Sequence, residues 1–129
     1  MKTGTSMTGM PSPLGDAVAP DPLPAPPPGE AMLSHRWALA CVDFYRAQHS
    51  AAEPGISPLR GNLSGLPPVL IQAGTDELLH DQAHQLHAAL QAAGVVSRCD
   101  ITQGRWHVFQ LHAGVLKSAD EAVARLAAF

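Results

Sequence analysis

The sequence has 129 residues, room for one domain at most. With 46% apolar and 15% charged residues a globular core is attainable, and a net charge of −3 without any Lys or Arg run argues against nucleic-acid or anionic-membrane partners, which need a basic surface. No apolar run approaches the ~18 residues of a membrane span, and Met1–Met10 lacks the apolar centre of a secretory signal, so a cytoplasmic protein is expected. Cys41 and Cys99 form no disulfide framework. Each sits in an apolar pattern that reads as a buried thiol.

Residues 1–30 read as a Pro-rich arm. Of the 12 prolines, eight fall between Pro11 and Pro28. Proline fixes φ and removes a backbone donor, so the arm is expected to be disordered or polyproline-like. From Ser34 the pattern becomes helical: Leu33, Trp37, Ala40, Cys41 and Phe44 recur as an inward stripe, Ser34 suits the N-cap, and a helix is expected over 35–48. Pro54, Gly55, Pro58, Gly61 and Gly65 break the chain into loop.

Val69-Leu70-Ile71-Gln72-Ala73-Gly74, led by two prolines, is a short apolar run without alternation, as in a parallel strand buried on both faces. Asp81 suits the cap of a helix to Ala93, with Leu79, Ala83, Leu86 and Leu90 inward, and Gly94 fits the left-handed position beyond its end. Residues 95–102 alternate, Ser97, Cys99 and Ile101 against Val96, Arg98 and Asp100, as in an edge strand. Ser118 and Glu121 form a capping box for a last helix with Ala122, Val123, Leu126 and Phe129 inward. The order gives an α/β fold with two parallel strands and about three helices.

Two residues stand where such folds place chemistry. Asp76 follows the first strand and His107 the second, 31 residues later, so both fall at the carboxyl edge of the sheet, where ligands bind. A carboxylate beside an imidazole fixes its tautomer and stabilises the imidazolium. The plain alternatives are a loop acid and a loop histidine between aromatics. His80, His84 and His87 fall on one helical stripe, a spacing that can chelate a metal. With no acid or cysteine to complete a site, they read better as a solvated face, and no metal is expected.

Ser57-Pro58-Leu59, Leu63 to Pro68, Gly74 to Asp81 and Gly104 to Phe109 closely resemble, in order, the C-terminal half of the hormone-sensitive-lipase-like esterases, across about residues 31–129. The resemblance implies the C-terminal portion of an α/β-hydrolase fold, hydrolysis of short-chain carboxylic esters and no metal or organic cofactor. It gives Asp76 the acid and His107 the general-base role in a triad of order Ser, Asp, His. Trp106 and Phe109 would wall the pocket. The nucleophile is missing: Gly4-Thr5-Ser6-Met7-Thr8 lacks the closing glycine of a Gly-x-Ser-x-Gly elbow, Ser64 matches a loop residue, and no His-Gly-Gly-Gly motif occurs. Two parallel strands would leave an open edge. The expectation is therefore an esterase fragment, inactive alone and completed by another chain or a second copy. The alternative is a non-catalytic module that binds a partner by its sheet edge or Pro-rich arm.

Overall fold

The computed structural model describes residues 8–10, 25–50 and 52–129. Expectations for the rest of the Pro-rich arm, and for Ser6, lie outside these residues. The elements run β1 (Thr8–Met10), α1 (His35–Arg46), β2 (Val69–Gly74), α2 (His80–Ala92), β3 (Ser97–Thr102) and α3 (Lys117–Ala127), with 3₁₀ turns at Pro58–Arg60 and Phe109–His112.

The sheet has three strands, in the order β1-β2-β3 and parallel throughout. Two of them, β2 and β3, are the parallel strands expected from the sequence, and the three-residue β1 pairs with Val69–Ile71. Three residues carry too little pattern to register as a strand, and pairing with β2 supplies what propensity does not. The β2–β3 register runs from Val69↔Ser97 to Gly74↔Thr102, so both strands end level at one edge.

Burial of β2 is complete, as a central parallel strand requires. Alternate side chains serve opposite faces. Val69, Ile71 and Ala73 pack with Ala83, Leu86 and Leu90 of α2 and with Val95. On the other face, the Gln72 amide donates to Ala122 O of α3 at 2.8 Å and accepts from Gln110 Nε2 at 3.3 Å. Beside it, Phe109, Ala119 and Ala122 form a second cluster. The expected α2 stripe is all buried, and Gly94 takes the left-handed conformation just past the helix.

Several local expectations fail for identifiable reasons. α1 buries Ala38 and Val42, while Trp37 and Phe44 are 58% and 87% exposed and Cys41 is exposed. Of the apolar stripe, Leu33 is buried beside Ala38, Leu78 and Leu79, while Trp37, Cys41 and Phe44 stay in solvent. α1 ends at Arg46, where Ala47 adopts φ 49°. Its Ser34 cap is present, with the hydroxyl accepting Trp37 N–H at 3.2 Å. Asp81 lies inside the first turn of α2 rather than at its cap, since the backbone already turns helical at His80. The Ser118–Glu121 capping box does not form. α3 starts two residues earlier, at Lys117 with Leu116 as its cap, and the Ser118 hydroxyl instead accepts from Arg105 Nε at 2.7 Å. Ala119 and Ala122 point inward; Val123 and Leu126 stay about 40% exposed. Cys99 is half-buried. No helix among the described residues is long and apolar enough to cross a membrane.

Candidate active site

The level ends of β2 and β3 feed two loops, 75–79 and 103–108, and hydrogen bonds lace them together. Thr75 N–H continues the ladder to Thr102 O at 3.1 Å, Asp76 N–H donates to Arg105 O at 2.9 Å, and Gly104 N–H donates to Thr75 Oγ1 at 2.8 Å. The loops approach so closely that a Cβ at Gly74 would stand 1.9 Å from Arg105 O. Glycine is required there by the approach of backbone to backbone.

His107 stands on the second loop with its side chain 18% exposed, and its Nδ1 faces Glu77 Oε1 at 3.5 Å, the long end of hydrogen bonding. Glu77 is 2% exposed, and its other oxygen accepts Gly74 N–H at 2.8 Å. A buried carboxylate needs such donors. The contact engages the ring at Nδ1 rather than at Nε2. Just beyond, Val108 adopts φ 50°, ψ 36°, a conformation strained for a β-branched residue. It turns the chain from His107 into the 3₁₀ turn.

The two residues singled out in the sequence are thus brought to one edge, but the carboxylate on His107 is that of Glu77. Asp76 accepts the Thr75 hydroxyl at 2.9 Å, and its side chain lies against Gly29, where an added Cβ would stand 2.3 Å from Asp76 Oδ2. Sequence reasoning missed Glu77 because motif matching fixes a position in a loop and not the direction of its side chain. Its signal was the neighbouring acid one residue on.

Phe109 is fully buried against Ala119 and Ala122 and so belongs to the core rather than to a pocket wall. Trp106 packs on that cluster, edge-on to His112 at 5.5 Å. Ser64 is exposed, and its hydroxyl donates to Asn62 Oδ1 at 2.7 Å. The three stripe histidines diverge. His80 Nδ1 donates to Gly74 O at 3.1 Å, the His80 and His84 rings meet edge-on at 4.8 Å, and His87 bonds the Ser97 hydroxyl at 2.9 Å. No group of three His, Cys, Asp or Glu among the described residues is arranged to hold a metal.

Comparison with known proteins agrees with this architecture. The α/β hydrolase fold profile matches residues 6–111, so the chain belongs to the α/β-hydrolase fold family. Within that family it groups with the hormone-sensitive-lipase-like esterases. An esterase of the bacterial hormone-sensitive lipase family superposes with a TM-score of 0.72 at 31% identity, over 75% of this chain and 33% of that one. An acetyl-hydrolase of Streptomyces hygroscopicus is 36% identical over 88 residues, 68% of this chain and 29% of its own length. An esterase of Acinetobacter venetianus is 34% identical over 101 residues, 78% of this chain and 33% of its own length. The chain therefore spans about a third of the relatives it matches, and it carries a carboxylic-ester-hydrolase-like fold.

Proposed function

We propose that this chain supplies the imidazole–carboxylate half of an esterase site, with His107 as general base and Glu77 as the carboxylate that orients it. The observation that carries this is the buried Glu77 carboxylate facing His107 Nδ1 at the carboxyl ends of β2 and β3. In the reaction a serine hydroxyl attacks the ester carbonyl, and His107 Nε2 takes its proton and returns it to the leaving alkoxide. Glu77 stabilises the imidazolium in between. Water then releases the acyl group by the same shuttle. Asp76, the acid by motif match, ties the loop through Thr75 in this reading. Ser64 does not have the setting of a nucleophile, and this reading places the serine and the oxyanion donors outside the described residues. The substrate class is a short-chain carboxylic ester, and the chain alone is inactive.

The test is hydrolysis of p-nitrophenyl butyrate by the chain alone and after mixing with the N-terminal two thirds of an esterase relative, each beside a His107→Ala control. Turnover above the control is expected only in the mixture. There, His107→Ala and Glu77→Gln should each lower kcat by about 10³-fold or more, and Asp76→Asn by much less. A large loss in Asp76→Asn with Glu77→Gln nearly neutral would return the acid role to Asp76. A mixture no faster than its control would sink the esterase reading.

A further inference from the structure

The segment just before α1 crosses the candidate site. Pro27 and Glu30 close a turn, with Glu30 N–H donating to Pro27 O at 3.0 Å. The turn sets Gly29 directly on Asp76, so closely that any side chain at 29 would collide with it. This brings the Glu30 carboxylate to both site loops. Oε2 accepts Leu78 N–H at 3.1 Å, from the loop after β2. Oε1 accepts His107 N–H at 3.4 Å, from the loop after β3, together with Met32 N–H at 2.9 Å and Leu33 N–H at 3.1 Å. One side chain thus joins the residue following Glu77 to the backbone of His107 itself, across 48 and 77 positions of sequence.

We infer that Glu30 is a positioning residue: its carboxylate clamps the Glu77 loop to the His107 loop and holds the imidazole in register with its acid. The inference rests on reading Glu77 and His107 as a working pair. The chemistry suits the task. An ionised carboxylate accepts at both oxygens and bonds backbone N–H groups more strongly than a neutral acceptor does. Leu78 N–H lies just ahead of α2, whose first N–H groups lack intrahelical partners and whose positive end favours an anion. Leu33, Leu78 and Leu79 pack together beneath the strap, so the polar clamp has an apolar footing. Glu30 touches no reacting atom. It acts through the two backbones that carry the reacting groups, and a displacement of about 1 Å between them would be costly to rate.

Amide hydrogen exchange on the whole chain, with ring ¹⁵N signals of His107, tests the clamp without needing turnover. In Glu30→Ala, Leu78 and His107 amides should exchange about tenfold faster or more, while Ile71 and Cys99 in the β-ladder keep their protection. The His107 ring signals should shift as Nδ1–H loses its fixed partner. Glu30→Gln separates clamp from bulk. Its single carbonyl oxygen goes to the crowded Oε1 position and turns an NH₂ toward Leu78, so Leu78 alone should lose protection. Unchanged exchange at 78 and 107 would overturn the inference. Acceleration confined to Met32 and Leu33 would make Glu30 a cap of its own turn, and uniform acceleration a general stability residue. Either result overturns the clamp. Failure of ester hydrolysis counts against the esterase reading alone, because exchange reports the clamp independently.

Discussion

The loops at 75–79 and 103–108 and the helix α1 invert the usual relation between loop and helix. Loops normally run over the surface, yet Glu77, Leu78 and Leu79 are 2%, 3% and 0% exposed. Leu78 N–H is met by Glu30, and Glu77 O and Leu79 O accept His80 N–H and Ala83 N–H of α2. α1 has a regular apolar stripe and leaves its aromatics in solvent. Burial is decided by what an element meets and not by its own periodicity. The loops meet each other because two level parallel strands deliver them to one edge. α1 buries just Ala38, next to Leu33, Leu78 and Leu79, and Val42 among its described residues.

The comparison breaks most readily where the loops join the core. Phe109 opens the turn after the His107 loop and is wholly buried against α3. Phe109→Ala should cost about 3–5 kcal/mol through lost burial and the cavity left behind, read from denaturant unfolding. A cost below about 1 kcal/mol would mean that α3 does not anchor the site edge. Gly74→Ala comes next. Its Cβ would meet a backbone carbonyl, which cannot swing aside as a side chain can, so a loss of about 1–3 kcal/mol is expected. Faster exchange should appear at Asp76 N–H, whose partner is the displaced Arg105 carbonyl.

A smaller effect separates the two cysteines by the same contrast. Burial, with the Asp100 charge adding to it, raises the Cys99 thiol above its ordinary range. A raised value means less thiolate at any given pH, so alkylation of Cys99 should be slow near neutrality and accelerate only at more alkaline pH. Cys41 is exposed on α1 and should react first. Equal rates at the two sites would mean that the β3 edge opens readily.

The legible parts of the sequence were those whose signal is local and whose partners follow from it. Val69–Gly74 announced its two covered faces by lacking polar alternation, and Leu79, Ala83, Leu86 and Leu90 found β2 because the strand precedes their helix directly. The loops bearing Asp76 and His107 were legible through strand order alone. What the sequence left illegible depended on distant or directional facts. Glu77 rather than Asp76 faces the His107 ring because adjacent loop residues point different ways, and no period predicts which. Thr8–Met10 became a strand only by pairing across some sixty residues. Ser118 left its capping role for an arginine 13 residues away. The role of Glu30 depended on contacts 48 and 77 residues distant.

The gentlest substitution addresses the other half of the comparison. Phe44 is 87% exposed on α1, and a side chain that buries nothing on folding contributes little when removed. Phe44→Ala should therefore change the unfolding free energy by no more than about 0.5 kcal/mol, with a midpoint independent of protein concentration. The sign of any departure is informative. A loss above about 2 kcal/mol that grows with concentration would show the aromatic face covered in solution by a second copy, because only association makes stability depend on concentration. The contrast would then be between loops buried within one chain and a helix buried between two. A small, concentration-independent change keeps α1 as a helix whose apolar stripe is open to solvent, held by Ala38 and Val42 on one side only.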